Sequence, residues 1–203
     1  RTVRRILDQA PWQSGPAGVC IDGRRTGRFL HGNSGQTNIA AQASVLTTSD
    51  KVQIGSGTAT ISALGSISGE GNNAFNIAMT DGARLTATAR DNINIRQFSS
   101  AANSDGNLEI ARIHYTGDLG QKANRSFGNV TVSAKGDITG VGSEPVHVKG
   151  INVSLASNDG AIGGSTGPLR IATGQGADAR FNASAAKDIK ELIPHLRLMV
   201  AAG

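Results

Sequence analysis

In this chain of 203 residues, the carboxylate side chains are the first candidates for catalytic residues. An enzyme that cleaves glycans would need carboxylates converging on one groove, typically with a basic residue or a calcium ion beside them. The carboxylates of Asp105, Glu109, Glu144 and Glu191 occupy scattered, non-equivalent positions instead. The sequence therefore predicts no catalytic residues and a protein that is not an enzyme.

Histidine and serine give no stronger signal. The four histidines have no mutual spacing suited to zinc, and no serine stands in a nucleophile-elbow context. We predict no metal and no cofactor, and we expect the histidines at the surface or in loops. They are His31, His114, His147 and His195.

Four aspartates precede an isoleucine or leucine that recurs along the chain: Asp91, Asp118, Asp137 and Asp188. Stacked in one row, they would form an acidic ladder able to bind cations. The alternative is that each aspartate favours a turn by hydrogen bonding to the nearby backbone, as asparagine does. We favour the turn role.

Basic residues concentrate at the N-terminus. The whole chain has a net charge of +5, and residues 1–37 hold six arginines against two aspartates, so the rest of the chain is nearly neutral. Arg24, Arg25 and Arg28 resemble a short heparin-type cluster and are candidate contacts for an anionic glycan. A flexible loop without a partner is the alternative. The repeats lack a basic face interleaved with aromatics, so no nucleic-acid binding is predicted.

Asparagine occurs four times in the N-glycosylation acceptor pattern, about twice the number that chance gives. We treat the four side chains as candidate glycosylation sites. They are Asn124, Asn129, Asn152 and Asn182.

A sequence pattern that recurs along the chain determines where these residues lie in the fold. An alternating hydrophobic stretch is followed by Gly or Asp and then by Ile or Leu, and the last residue recurs at spacings of 26, 26, 19, 24 and 27 residues. Repeats of this length that consist of alternating, strand-forming sequence are typical of a solenoid. The recurring residues are Ile67, Ile93, Leu119, Ile138, Ile162 and Ile189.

Alternation within each copy places one set of side chains inward and the other in water. With 27 glycines and 3% aromatic residues, a narrow core of small side chains is expected. The sequence therefore predicts an all-β parallel β-helix with about 20–25 residues per coil, in which Ile67, Ile93, Ile138 and Ile189 stack in one row. The core candidates are Val130, Val132, Ile138, Val153, Leu155, Ile162, Leu169 and Ile171.

The predicted domains are a basic cap, linker or poorly ordered segment at residues 1–37 and the β-helix at residues 38–203, as part of a longer chain. Shorter apolar phrases around residues 107–110, 146–148 and 169–171 are expected to form other faces of the same coils.

The phrases at residues 159–163, 168–174 and 181–185 resemble the repeat regions of filamentous haemagglutinin-like adhesins, the large exoproteins of two-partner secretion. The resemblance implies a right-handed parallel β-helix and export across the outer membrane of a Gram-negative bacterium by a dedicated transport partner. It also implies a secreted or cell-surface fibre acting in adhesion or biofilm formation through an unknown host-cell, matrix or glycan receptor.

The alternatives are a β-helix carbohydrate-active enzyme, either a polysaccharide lyase or a glycosidase, and a passive stalk of a contact-dependent toxin. Stacking with flanking repeats or other subunits is expected at the ends of such a rod.

Overall fold

The computed structural model describes residues 18–21, 26–28, 36–41, 44–47, 52–54, 58–69, 71, 73–99, 103–120, 127–164, 168–174 and 179–192. These residues form β-strands, turns and bends, with no α-helix. In chain order the strands are β1 Gly18–Ile21, β2 Thr26–Arg28, β3 Gln36–Ala41, β4 Val45–Thr47, β5 Val52–Ile54, β6 Thr58–Ala63, β7 Ile67–Gly69, β8 Phe75–Met79, β9 Arg84–Ala89, β10 Ile93–Gln97, β11 Leu108–Tyr115, β12 Asn129–Ala134, β13 Ile138–Gly140, β14 Val148–Lys149, β15 Asn152–Ser157, β16 Leu169–Ala172, β17 Phe181–Ala185 and β18 Glu191–Leu192.

The strands pair into two sheets, as predicted for a parallel β-solenoid. A ten-stranded sheet, sheet A, runs in the order β17-β15-β12-β10-β7-β4-β1-β2, with β5 and β8 beside this path. An eight-stranded sheet, sheet B, runs in the order β18-β16-β14-β11-β9-β6-β3, with β13 beside it. The strands from β3 to β18 pair with one another in parallel. The chain therefore alternates between the two sheets, and each coil adds one layer along the solenoid axis.

The alternation of apolar and polar side chains explains why these segments form strands. In β9, Leu85, Ala87 and Ala89 are buried, while the residues between them are partly exposed. In β12, Val130, Val132 and Ala134 are buried, and Thr131 is exposed. One face of each sheet therefore lines the interior, and the other meets water.

The core lies between the two sheets as stacked columns of small apolar side chains. One column in sheet A joins Val45, Ile67, Ile93, Val130 and Val153 by direct strand pairing. All eight core candidates are buried, with exposed fractions of 0–1%, so this prediction is confirmed. The apolar phrases at residues 107–110, 146–148 and 169–171 lie in sheet B, also as predicted.

The predicted single row of isoleucines is wrong. Ile67 pairs with Ile93 in sheet A, but Ile93 then pairs with Val130 and not with Ile138. Ile138 instead pairs with Leu108 and with Ile162, which pairs in turn with Ile189 on the sheet B side. The recurring phrase changes sides because a coil has two corners, and both need a turn followed by an inward apolar residue.

Coil length also varies more than the sequence predicts. Hydrogen-bonded positions on successive levels are 22, 26, 37, 23 and 28 residues apart. The longest coil contains β11, which carries a β-bulge between Ile110 and Arg112. Leu119, counted as a degenerate copy of the phrase, lies in a turn of this coil and is only partly buried against the core.

An antiparallel hairpin lies at the N-terminal edge of sheet A. Strands β1 and β2 pair with each other, and β1 pairs antiparallel with β4. Because an unpaired edge is a template for association, this hairpin covers the edge of β4. Within the described ranges, no helix has the length and apolar character needed to cross a membrane.

Candidate functional site

Polar side chains form a hydrogen-bonded ladder at the corner where the chain passes from sheet B to sheet A. Ser66 N donates to Ser44 Oγ at 3.0 Å, and Asn92 N donates to Ser66 Oγ at 3.2 Å. One level later Asn129 N and Asn129 Nδ2 both donate to Asn92 Oδ1, at 3.0 and 3.1 Å. We call this the asparagine ladder; its members are Ser44, Ser66, Asn92, Asn129, Asn152 and Arg180.

The ladder continues through its upper levels without a break. Asn152 Nδ2 donates to Asn129 Oδ1 at 2.9 Å, and Arg180 N donates to Asn152 Oδ1 at 2.9 Å. The side chains thus supply acceptors to backbone groups that a turning chain cannot pair with a neighbouring strand. The asparagine ladder fixes the register of the coils at this corner.

This geometry bears on the candidate glycosylation sites. Asn129 and Asn152 are half-buried and use their Nδ2 atoms, the atoms that would carry a sugar, within the ladder. Asn182 is exposed on β17. Asn124 lies outside the described residues. Glycosylation stays a prediction, and of the three described asparagines only Asn182 offers an exposed side chain.

The opposite corner, from sheet A to sheet B, has a second set of polar contacts. Asp137 N donates to Asn107 Oδ1 at 2.8 Å, and Ala161 N donates to Asp137 Oδ1 at 2.7 Å. Ser157 Oγ donates to Gly136 O at 2.7 Å and accepts from Gly160 N at 3.0 Å. Asp137 therefore serves the turn.

The four candidate aspartates do not form one acidic row. Gly128 N donates to Asp91 O at the asparagine-ladder corner, whereas Asp137 and Asp188 lie at the opposite corner. Asp118 accepts from Gly120 N at 2.8 Å, as in a local turn. Among the described residues, no group of three or more His, Cys, Asp or Glu side chains is placed to hold a metal ion. The local turn contact is seen for the Asp118 side chain, whereas the Asp137 side chain bonds the next coil and Asp91 and Asp188 accept through their backbone carbonyls.

Charged side chains gather in one place on the outer face of sheet B. Arg112 Nη2 bonds Glu144 Oε1 at 3.0 Å, and Arg170 Nη1 donates to Glu144 O at 2.9 Å. His114 Nε2 bonds Val146 O at 2.9 Å, which fastens the loop between β13 and β14 onto β11. We call this cluster the Arg112 patch; its members are Arg112, His114, Glu144, His147, Lys149 and Arg170.

Strand pairing explains how the Arg112 patch assembles. His114 pairs with Lys149, and Ile113 N donates to His147 O at 2.7 Å, so three neighbouring strands bring their residues together. The bulge before Arg112 shifts the register of β11 relative to β9. A bulge re-aims the side chains beside it.

Two histidines in the patch have a lowered pKa. Burial lowers the pKa of His147 below its ordinary 6.5, and Arg170 lowers it further. Burial also lowers the pKa of His114, against a smaller opposing effect from its bond to Val146 O. His114 is partly exposed on the outer face of sheet B, which fits the expected surface position, and His147 is in a loop but only 3% exposed. His31 and His195 lie outside the described residues.

The described members of the scattered carboxylates have different surroundings. Glu109 faces Arg84 at 3.9 Å, Glu144 bonds Arg112, and Asp105 is exposed in the turn before β11. The side chain of Glu191 is outside the described part, as are Arg24, Arg25 and the side chain of Arg28. The anionic-glycan contact suggested for these three arginines stays a prediction.

Comparisons with the models of known protein families, with curated proteins and with solved structures each give no match.

Sequence reasoning missed both the asparagine ladder and the Arg112 patch. A signal for the ladder exists, because a Ser or Asn stands directly before the first apolar residue of β7, β10, β12 and β15. The Arg112 patch has no such signal, since its members come from separate coils, one of them bulged.

Proposed function

We propose that this chain is a structural shaft of a secreted, surface-associated adhesin fibre that mediates attachment or biofilm formation. The proposal includes export from a Gram-negative bacterium through an outer-membrane transport partner. The observation that carries it is the continuity of the asparagine ladder from Ser44 to Arg180, with a core column running parallel to it.

Such an arrangement suits a shaft. Each coil contacts its neighbours above and below, so added coils lengthen the rod without widening its core. Backbone hydrogen bonds run along the rod, and the corner side chains pair the groups left over at the turns. A fibre that reaches from a cell surface needs this kind of stiffness.

Outward positions give the shaft a surface for contact. The outer faces of the strands carry mainly Thr, Ser, Asn and charged side chains, such as Thr131, Asn182 and Arg96. The loops between strands differ in length from coil to coil, which lets them vary without disturbing the core. A receptor, matrix component or glycan would meet these positions.

No observation on the described residues favours the carbohydrate-active enzyme. Such an enzyme needs carboxylates converging on one groove, and Asp105, Glu109 and Glu144 lie in separate surroundings. A passive stalk of a contact-dependent toxin would use the same shaft, so it differs from an adhesin only in whether the shaft itself contributes to attachment.

The test uses antibodies against this chain on intact cells that produce it. We expect surface labelling that is lost on protease treatment of intact cells, and we expect monovalent antibody fragments to reduce attachment to a host-cell or matrix-coated surface. Fragments against an abundant, non-adhesive surface protein are the control. Labelling only after lysis would contradict a surface location, and labelling without any effect on attachment would favour the passive stalk.

A further inference from the structure

The Arg112 patch carries more positive charge than its internal contacts neutralise. Arg112, Lys149 and Arg170 supply three cations, and Glu144 is the one carboxylate within the patch. Elsewhere on the same sheet, Arg84 is matched by Glu109. A shaft needs no such local excess, so this charge calls for another role.

Two buried N–H donors within the patch find no acceptor in the part of the chain that the structure describes. Arg170 N donates to His147 Nδ1 at 3.1 Å, so the neutral imidazole carries its proton on Nε2. His147 is 3% exposed, and neither its Nε2 nor the buried Nε of Arg112 has a hydrogen-bond partner among the described residues. Two donors cannot satisfy each other, so both need an oxygen acceptor.

Glu144 shows which acceptor the patch accommodates. Its carboxylate already bonds the Arg112 guanidinium, and both side chains remain partly exposed, at 44% for Arg112 and 37% for Glu144. Glu144 lies in the loop between β13 and β14, where Gly142 has a φ of 88°. A partly exposed ion pair contributes little to stability, so an incoming carboxylate can replace Glu144 at small cost.

We propose that the Arg112 patch binds carboxylate groups of an acidic polysaccharide, one of which takes the place of the Glu144 carboxylate on Arg112. Arginine suits this ligand because its planar fork bonds both oxygens of a carboxylate. The backbone of Arg170 is two sheet levels from that of Arg112, roughly 10 Å along the rod, and its guanidinium bonds Glu144 O from the opposite side of the loop to which Arg112 bonds. Arg170 therefore provides a second cation for a further carboxylate on an extended polymer.

A polysaccharide fits the surroundings better than a nucleic acid does. Single-stranded nucleic acid binds where bases stack on aromatic side chains along a basic groove, and the patch contains no Phe, Tyr or Trp. This site goes beyond the shaft function, because ligand binding is measured on the isolated chain whether or not that chain forms a surface fibre.

The experiment measures binding of oligogalacturonate to the full chain by titration calorimetry at low salt. We expect Arg112→Gln to weaken binding by about tenfold or more, as the loss of a charge-assisted bond implies. Glu144→Gln should strengthen binding, because the competing carboxylate is gone. The matched controls are Arg84→Gln and Glu109→Gln, which change the net charge equally on the same sheet and should leave affinity within about twofold.

Each other outcome overturns the proposal in a distinct way. No measurable binding by the unaltered chain removes the site, and equal losses in the Arg112 and Arg84 variants reduce it to net charge. Equally tight, Arg112-dependent binding of single-stranded DNA rejects the polysaccharide assignment. Circular dichroism checks that each variant is folded, and Arg170→Gln, expected to weaken binding as well, replaces Arg112→Gln if that variant unfolds. Failure here leaves the surface-labelling result untouched, so the two proposals fail separately.

Discussion

Replacing Asn129 with alanine tests the energetic role of the asparagine ladder. The substitution removes two side-chain hydrogen bonds, one from Asn129 Nδ2 to Asn92 Oδ1 and one from Asn152 Nδ2 to Asn129 Oδ1. At about 0.5–1.5 kcal/mol for each bond, the free energy of unfolding should fall by about 1–3 kcal/mol. Asn92 Oδ1 keeps the donor from the backbone of residue 129.

Urea denaturation followed by far-ultraviolet circular dichroism measures the loss. Asn182→Ala is the matched control, since Asn182 is an exposed asparagine on the outer face of a strand and its replacement should cost less than about 0.5 kcal/mol. Asn152→Ala and the Asn129/Asn152 double variant complete a thermodynamic cycle. Because the two side chains share a bond, the double loss should be smaller than the sum by about 1 kcal/mol.

The reasoning is refuted if Asn129→Ala and Asn182→Ala lower stability equally, or if the cycle is additive. Either result would mean that the corner is held by backbone pairing alone and that the asparagines merely tolerate the turn.

Three further predictions concern the core, a histidine and a close approach. Val132→Asp should lower the free energy of unfolding by more than about 4 kcal/mol, because a lone charge would be buried without a partner. Thermal melting measures this loss, with Thr131→Asp as the exposed control. An unchanged melting curve would disprove the inward position of Val132. Stability should fall as the pH drops below 6.5, because burial keeps the pKa of His147 below that of the unfolded chain, which therefore binds the proton first; His147→Gln should flatten this slope in urea titrations at pH 5 to 7, and an identical slope would contradict the assignment. Gly160→Ala should cost about 1–3 kcal/mol, since a Cβ there would lie 2.5 Å from the backbone nitrogen of Asp137. A melting temperature equal to that of the unaltered chain would show that successive coils are not in close contact at this corner.

The fold class follows from sequence because its cause is local. Period-two alternation and small apolar residues at the inward positions are enough to predict strands, a narrow core and the burial of residues such as Val132 and Leu155. Repetition at the length of a coil then predicts stacking.

The register does not follow from local chemistry. Ile93 and Ile138 end nearly identical phrases, but one lies at the start of a sheet A strand and the other at the start of a sheet B strand. Both corners need a turn and an inward apolar side chain, so the phrase is ambiguous by half a coil. The shift by half a coil arises in the coil of 37 residues, and the length of that coil cannot be recognised from sequence until the strands are paired.

The candidate site was predictable only in part. The acceptor pattern marks Asn129 and Asn152 as candidate sugar acceptors, whereas in the fold their side chains bond each other. The Arg112 patch depends on a bulge and on residues from distant coils, and hence on the tertiary arrangement alone.

The most direct test of the account is a pair of engineered disulfides in a Cys20→Ser background. Asn94 and Thr131 face each other on adjacent parallel strands, at a spacing compatible with a disulfide. Aligning the phrases that end at Ile93 and Ile138 would place Asn94 beside Thr139 instead. We expect the Asn94→Cys/Thr131→Cys variant to oxidise to an intramolecular disulfide with native circular dichroism, and the Asn94→Cys/Thr139→Cys variant to remain reduced. The reverse outcome, scored by mass spectrometry, would contradict the register and with it both the asparagine ladder and the Arg112 patch.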